Sequence, residues 1–339
     1  MDETAQRAPV AVPLSVPTTA QTASIVDPDP VLRRRVGLSE LRVFPIALSG
    51  NVFGWTATVS EAEGVLDAYR AHGGDFIDTA DSYAGGRSEI IIGNWMRSRR
   101  NRDRLVIATK VGKSADHPGV RARAITAAVH DSLRRLRTDR IDLLYLHVDD
   151  PAVEFEETLL AVDELIRAGA VRAFGASDHS GMRLMEARIA SAQLGVARMA
   201  ALQNQYSLVF RREYEQGLAR VAHAQGLGVM PRFALAGGFL AGKYRSRADL
   251  ERTERRGRLG RLLGRNGLQV LAALDRVSAE VDASVPTVAL AWLLSKPDVV
   301  APVVSASTGD QVLDLVAAAG LRLSRRQLTE LDRASDSYA

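Results

Sequence analysis

Four residues of the sequence have side chains that together could transfer a proton to a carbonyl group. They are Asp78, Tyr83, Lys110 and His147. A tyrosine is a weak acid, but an adjacent lysine ammonium favours its phenolate form, and a carboxylate keeps that lysine charged. A histidine beside them can donate a hydrogen bond to a carbonyl oxygen. The set predicts a general acid next to an oxyanion pocket, which suits carbonyl reduction by a hydride-carrying cofactor.

Each of these residues also has an ordinary structural role when it is considered alone. Asp78 and Lys110 could form a structural ion pair at a strand end, and His147 could lie in the core or in a loop. Tyr83 belongs to the turn-like sequence 82–86. Only the four residues taken together predict catalysis.

Eight short apolar runs provide the elements that must position these side chains. Near-continuous apolar runs are typical of parallel strands buried on both faces. Helical patterns lie between several of them, at 122–137, 156–168, 182–193 and 212–225. No glycine-rich turn follows the first run, which favours a closed α/β barrel, the (β/α)8 TIM barrel, over a doubly wound sheet. The runs are 44–48, 75–77, 105–108, 141–146, 171–175, 200–202, 227–230 and 299–304.

A polar residue stands at the end of six consecutive runs, and these residues are 26 to 37 positions apart. In a barrel the carboxyl ends of all strands face one mouth, where barrel enzymes keep their catalytic groups. We therefore expect the six side chains to lie around one opening. The six residues are Asp78, Lys110, His147, Ser177, Gln203 and Arg232.

The motifs around these residues resemble those of the aldo-keto reductases, over nearly the whole chain after its N-terminal segment. The resemblance implies an NADP(H)-dependent (β/α)8 oxidoreductase that reduces an aldehyde, ketone or ketosugar. Asp78, Tyr83, Lys110 and His147 would form its catalytic tetrad, with Tyr83 as the proton donor. The motifs are FIDTADSY at 76–83, TK at 109–110, DLLYLH at 142–147, GAS at 175–177, QNQYS at 203–207 and GFLAGKY at 238–244.

The resemblance also implies a binding site for NADPH, with NADH as an alternative. Ser177 and Gln203 would hold the nicotinamide carboxamide, the loop 235–243 would cross the pyrophosphate, and 305–311 would face the adenosine phosphate. Phe53 and Trp55 would line the substrate pocket with Tyr83 and His147, or would only cap the barrel. The other residues expected at the cofactor are Gly50, Asn51, Asp78, Asp178, Arg232, Phe233, Leu235, Gly237, Leu240, Gly242, Lys243, Ser305, Ser307 and Gln311.

Three positions depart from the pattern of that family. Asp178 replaces a common asparagine, and an ionised carboxylate can only accept hydrogen bonds. Arg232 stands where an aromatic residue often stacks on the nicotinamide, and its charge should disfavour the oxidised ring, so Arg232→Tyr should strengthen binding of the oxidised cofactor. The segment 305–308 lacks the basic residue that some members use for the 2′-phosphate.

Composition bounds the class of protein further. The 339 residues contain no cysteine, which excludes disulfides and Cys-ligated metals. Residues 1–35 are rich in Pro, Ala, Thr and Val without periodicity, which predicts a disordered tail before a single barrel domain at 36–339. The acidic start lacks the apolar segment of a secretory signal, and no run could span a bilayer, so we expect a cytoplasmic protein without a membrane partner.

The remaining histidines and basic residues point to no further ligand. The histidines at 72, 117, 130, 179 and 223 lack metal-ligand spacing, although His179 could line the pocket. The net charge is only +4, and no nucleic-acid-binding module accompanies the arginines at 97–104 and 245–265. The segment 245–265 could fold over the cofactor, contact an anionic substrate or be a disordered insertion.

We expect a small-molecule carbonyl substrate, and the alternative is a cofactor-binding regulatory module with little turnover. Nothing in the sequence indicates an oligomeric state.

Overall fold

A computed structural model of the chain describes residues 33–252 and 256–339. Its centre is a sheet of eight parallel strands in the order β10-β3-β4-β5-β6-β7-β8-β9, which confirms the predicted (β/α)8 barrel. A hairpin of β1 (Arg34–Arg35) and β2 (Arg42–Val43) precedes it. The barrel strands are β3 (Ala47–Ser49), β4 (Phe76–Asp78), β5 (Val106–Val111), β6 (Ile141–Leu146), β7 (Val171–Ser177), β8 (Ala201–Gln205), β9 (Gly228–Arg232) and β10 (Val303–Val304).

Helices alternate with these strands and cover the outside of the barrel. Because each strand is covered on both faces, residues such as those of β6 are buried without interruption. A one-turn π-helix (Tyr214–Leu218) leads directly into α6. The α-helices are α1 (Val59–Ala71), α2 (Arg87–Arg99), α3 (Ala122–Leu136), α4 (Phe155–Arg167), α5 (Gly181–Leu194), α6 (Ala219–Gln225), α7 (Arg256–Gly260), α8 (Arg265–Val281), α9 (Val285–Leu294), α10 (Gly309–Ala317) and α11 (Arg325–Ala334).

All eight predicted runs contribute a strand, but the bounds differ. β6 has the bounds of its predicted run, whereas β5, β7, β8 and β9 extend further, because polar residues such as Lys110 and Ser177 still belong to the ladders. The first and last runs form shorter strands than predicted. The barrel closes where β10 pairs with β3 and where Val229 forms an isolated parallel bridge with Val299.

The N-terminal hairpin closes the end of the barrel opposite the carboxyl ends of the strands. Its residues Val36, Leu41 and Val43 are buried in one cluster with the residues inside the barrel. Gly37 has φ +50°, and a Cβ there would lie 2.2 Å from the backbone oxygen of Ala200, so only glycine fits this approach. The hairpin is therefore part of the barrel core.

The predicted domain boundary at residue 36 is too late. The predicted disordered segment 1–35 falls mostly on residues 1–32, which lie outside the described residues. Arg34, however, pairs in β1 and donates hydrogen bonds to the backbone oxygens of Leu294 and Val299 at 3.0 and 2.8 Å. The fold therefore includes residues 33–35.

No single helix of the described ranges has both the length and the apolar content to cross a bilayer. Only α8 and α9 together would meet that test, as a pair bent by 95°.

Candidate active site

The ammonium group of Lys110 lies at the centre of a buried group of polar atoms. Its Nζ contacts Asp78 Oδ1 in a short ion pair, donates to the Thr79 backbone oxygen at 2.8 Å and donates to the Tyr83 hydroxyl at 3.3 Å. All three N–H bonds of the ammonium therefore have acceptors. The side chains of Lys110 and Asp78 are sealed from solvent, at 0% and 1% exposed. Burial alone would lower the pKa of Lys110, but Asp78 and Tyr83 outweigh burial and raise it, so the lysine stays charged.

Asp78 links this group to the second half of the barrel. Its Oδ2 accepts a hydrogen bond from Gln203 Nε2 at 2.9 Å. Asp78 ends β4 and Gln203 lies in β8, so the contact crosses the inside of the barrel. The carboxylate is thus held on one oxygen by Lys110 and on the other by Gln203.

Tyr83 and His147 lie above the buried pair, and both are only half-buried. Their rings meet edge to face, with centroids 6.2 Å apart. Burial lowers the pKa of His147 to about 2, and the nearby cations of Lys110, Lys113 and Arg232 add to the effect. The imidazole is therefore neutral at physiological pH, and one ring nitrogen carries a proton that it can donate.

The turn that carries Tyr83 is held by a network that the sequence analysis missed. Ala84 adopts a left-handed conformation with φ 52°, followed by two glycines with positive φ. Beneath the turn, Glu89 accepts hydrogen bonds from Thr109 Oγ1 at 2.5 Å and Arg135 Nε at 2.6 Å. The sequence offers only a weak indication of this network: Thr109 directly precedes Lys110, and Glu89 lies six residues after Tyr83.

Asp81 is a second buried carboxylate of this turn that the sequence analysis did not single out. Its Oδ2 accepts the Gly112 N–H at 3.2 Å, and its Oδ1 has no hydrogen-bond partner in the described part of the chain. Burial raises the pKa of Asp81 to about 6, and the neighbouring Glu89 contributes to the rise.

The loop after β3 holds four predicted site residues in different environments. The Gly50 N–H donates to the Asp78 backbone oxygen at 2.8 Å, so this residue lies at the same mouth. The Asn51 Oδ1 is buried, with no hydrogen-bond partner within the described ranges. Phe53 is fully buried in the hydrophobic core, in one cluster with helix residues such as Ile92, so its side chain is not exposed to a substrate in this structure. Trp55 is 61% exposed on the same loop.

Ser177 ends β7 and Asp178 directly follows it, Gln203 is the middle residue of β8, and Arg232 ends β9. Asp178 Oδ1 accepts a hydrogen bond from Arg232 Nε at 2.9 Å, and a terminal guanidinium nitrogen lies 2.8 Å from the same oxygen in the ion pair. The guanidinium also lies 5.0 Å from the ring centroid of Phe233. The two residues treated as separate departures are therefore one ion pair, and Arg232 is not the uncompensated cation that the sequence analysis assumed.

The predicted cofactor loop after β9 exposes backbone at glycines. Gly237, Gly238 and Gly242 have φ of 70°, 99° and 71°. Leu235 is half-buried and Lys243 is exposed on this loop, whereas Leu240 is fully buried in the core, so a side-chain contact of Leu240 with a cofactor is not supported.

The last segment predicted to contact the cofactor, residues 305–311, directly follows β10. Ser305 and Gln311 are half-buried and Ser307 is exposed. The Ser307 N–H donates to Gln311 Oε1 at 3.0 Å, just before α10. His179, considered as a pocket residue, is instead buried, with Nδ1 at 3.0 Å from the Ser177 backbone oxygen.

The sequence profile described as the Aldo/keto reductase family matches residues 47–336, which is the whole barrel from β3 through α11. The chain belongs to the aldo/keto reductase family. This confirms the resemblance found in the motifs, and it makes the protein an oxidoreductase.

Several curated proteins are similar to this aldo/keto reductase over most of their length. Aldo-keto reductase ausK of Aspergillus calidoustus is 32% identical, over 87% of this chain and 80% of that protein. Norsolorinic acid reductase stcV of Emericella nidulans is 30% identical, over 94% and 84%. The putative aryl-alcohol dehydrogenase AAD14 of Saccharomyces cerevisiae is 30% identical, over 89% and 85%.

The residues of this aldo/keto reductase fit a nicotinamide cofactor, the kind of cofactor that the family generally uses. Ser177 and Gln203 supply a hydroxyl and an amide beside the catalytic candidates, and Asn51 contributes an unpartnered oxygen at the same mouth. The left-handed glycines of the loop after β9 let backbone amides approach phosphate oxygens. The donor set therefore suits a carboxamide at one end and a pyrophosphate at the other.

The arginine-rich segment 245–265 is folded where the structure describes it. Leu250, Leu259 and Leu262 are buried, and Arg245 forms a two-pronged ion pair with Asp275 of α8 at 2.7 Å. This arrangement does not fit a structureless insertion, and residues 253–255 lie outside the described ranges.

Proposed function

We propose that this aldo/keto reductase reduces the carbonyl group of a small aldehyde, ketone or ketosugar with NADPH, or alternatively NADH, and that Tyr83 donates the proton. The observation that carries the proposal is the Lys110 ammonium, which is sealed from water and directs one N–H to the Tyr83 hydroxyl. A charged donor at that distance stabilises the phenolate that remains after the proton leaves.

Asp78 and Lys110 support the proton donor from below. The Asp78 carboxylate balances the buried ammonium, and without it the lysine charge would be costly to keep in the barrel. The ammonium holds the Tyr83 oxygen in position through the 3.3 Å hydrogen bond. Tyr83 itself reaches the mouth, where it can touch a substrate oxygen.

His147 orients the carbonyl. Because its pKa is lowered to about 2, the ring is neutral and donates a hydrogen bond without adding a positive charge. Together with Tyr83 it offers two donors to one oxygen, where negative charge develops during reduction. Trp55 and the half-buried rings of Tyr83 and His147 would contact the rest of the substrate.

The cofactor, when bound, supplies the hydride. Ser177 and Gln203 would hold its carboxamide, assisted by Asp178, and Gly50 and Asn51 would contact the nicotinamide ribose. Further along the cofactor, the loop after β9 would bind the pyrophosphate through the backbone at Phe233, Leu235, Gly237 and Gly242, with Lys243 beside it. Ser305, Ser307 and Gln311 would bind the adenosine end.

The test is oxidation of NADPH and NADH by the purified full chain, with a panel of aliphatic, sugar and aryl carbonyls. Aryl compounds are included because relatives are named for aryl alcohols and for norsolorinic acid. We expect turnover to fall by about 10²–10⁴-fold in Tyr83→Phe, with cofactor affinity unchanged. Tyr69→Phe is the control, since the Tyr69 hydroxyl donates to Ile46 at the opposite end of the barrel.

Turnover that survives in Tyr83→Phe would overturn the role of this residue. If no carbonyl gives turnover that depends on Tyr83 while the cofactor still binds, the protein is better described as a cofactor-binding module.

A further inference from the structure

The Asp178–Arg232 ion pair bridges two strands that are not neighbours. Asp178 follows the end of β7 with a left-handed φ of 59°, and Arg232 ends β9. Between them lies β8, and the Asp178 N–H donates to the Gln203 backbone oxygen at 3.1 Å. The pair is therefore next to Gln203 of β8 and to Ser177, the two residues assigned above to the nicotinamide carboxamide.

The charge of this pair matters because the mouth already contains cations. The positive charges of Lys110, Lys113 and Arg232 all contribute to lowering the pKa of His147. Asp78 balances Lys110 and Asp178 balances Arg232, so Lys113 is the remaining one of these three cations. Without Asp178, Arg232 would be a second unbalanced cation facing the place proposed for the nicotinamide.

The two redox forms of the ring respond differently to such a charge. The oxidised nicotinamide is a cation and the reduced one is neutral. A nearby positive charge therefore weakens binding of the oxidised form and leaves the reduced form nearly unaffected, and a negative charge has the opposite effect.

We propose that the Asp178–Arg232 ion pair sets the relative affinity of this enzyme for the oxidised and reduced cofactor, because each partner cancels a charge that would otherwise act on the nicotinamide ring. This inference rests on the proposed nicotinamide site. It differs from the expectation for Arg232 alone, since the two residues act as one unit with opposite signs.

The pair also offers the hydrogen-bond acceptor and donor that a primary carboxamide needs. The Asp178 carboxylate accepts hydrogen bonds, as from an amide N–H, and the Arg232 guanidinium donates them, as to an amide oxygen. Side chains that are 37% and 27% exposed can exchange part of their mutual contact for contacts with a ligand.

The experiment measures the dissociation constants of NADP⁺ and NADPH, and of NAD⁺ and NADH, by fluorescence titration of the full-length protein. The variants are Asp178→Asn, Arg232→Gln and the double variant. Asp178→Asn should raise the ratio of oxidised to reduced dissociation constants on the order of tenfold, and Arg232→Gln should lower it by a similar factor. The double variant should return the ratio to within about threefold of the wild type.

Asp103→Asn is the matched control. It breaks an exposed ion pair with Arg140 of 2.7 Å at the opposite end of the barrel, and it should leave the ratio unchanged. Raised salt should shrink the shifts in both single variants, because half-exposed charges are screened.

The outcomes separate this inference from the proposed function. If the wild type binds the cofactors, but the single variants change both redox forms equally or shift the ratio in the same direction, only the role of the ion pair is overturned. If the folded wild type binds no nicotinamide cofactor, the proposed function fails together with this inference.

Discussion

Two parts of the same mouth handle charge in opposite ways. The acid–base corner, formed by Asp78, Tyr83, Lys110 and His147, has its ion pair sealed from water with every ammonium N–H satisfied. The charge-pair corner, formed by Ser177, Asp178, Gln203 and Arg232, has an ion pair that remains about one third exposed. Under the proposed function, the group whose position must be fixed is buried with its partners, whereas the groups that would exchange partners with a ligand remain accessible to water.

The two corners are joined by one hydrogen bond, from Gln203 Nε2 to Asp78 Oδ2 at 2.9 Å. A ligand that recruits the Gln203 amide therefore acts on the carboxylate that balances Lys110. Under the proposed function, this bond would connect a bound cofactor with the acid–base corner.

The largest effect is expected from Lys110→Met, which tests whether the acid–base corner depends on its buried pair. The change leaves Asp78 charged and without its cation, so the free energy of unfolding should fall by about 3–5 kcal/mol. Urea unfolding followed by circular dichroism measures the loss. The double variant Asp78→Asn/Lys110→Met should recover part of it. A loss below about 1 kcal/mol would show that burial of the pair matters little and would erase the contrast between the corners.

Asp81→Asn should change the free energy of unfolding by a smaller amount and in the opposite direction, because it should stabilise the protein. The pKa of Asp81 is raised to about 6 in the folded protein, above its ordinary value of 3.8, so protonation favours folding. The penalty of the charged form is fully present above pH 6 and is relieved as the pH falls toward 4. The variant should therefore be more stable at pH 7 by about 3 kcal/mol, at roughly 1.4 kcal/mol per pKa unit, and the gain should vanish near pH 4.

Denaturation midpoints of Asp81→Asn and the wild type between pH 4 and 8 provide the measurement. The amide can still accept the Gly112 N–H, so the turn that carries Tyr83 should stay in place. A stability difference that does not change with pH would assign the effect to packing instead of ionisation.

The smallest effect on stability is expected from Arg232→Gln, in the charge-pair corner. A half-exposed ion pair contributes about 0–1 kcal/mol, so the unfolding free energy should change by less than about 1 kcal/mol. The same denaturation assay serves here, with Asp103→Asn for comparison. A loss as large as that of Lys110→Met would mean that both corners are structural.

Much of the fold could be predicted from the sequence, because alternating apolar runs and helical patterns are local signals. The eight βα units and the shared mouth follow from them. The exact strand bounds could not be predicted in this way, because residues such as Lys110 and Ser177 are polar and yet belong to the ladders. The hairpin residues 33–35 were assigned to the tail because the contacts of Arg34 lie more than 250 positions away.

The candidate site was only partly predictable, for a related reason. The types and spacing of Asp78, Lys110 and His147 are visible in the sequence, and the structure brings them together with Tyr83. The pairing of Asp178 with Arg232 is not visible, since it depends on where two side chains 54 positions apart point. The roles of these residues in binding and catalysis remain predictions for the experiments above.

Closure of the barrel has a consequence for protein synthesis. β3 is the first barrel strand to leave the ribosome, yet one of its two neighbours, β10, lies at residues 303–304. The hairpin that seals the barrel likewise waits for Leu294 and Val299 to bind Arg34. Until then the nascent chain carries open strand edges at both β3 and β9, which are the surfaces that aggregate or recruit chaperones. Protection of these edges until the last barrel strand has been synthesised should therefore improve the yield of folded protein.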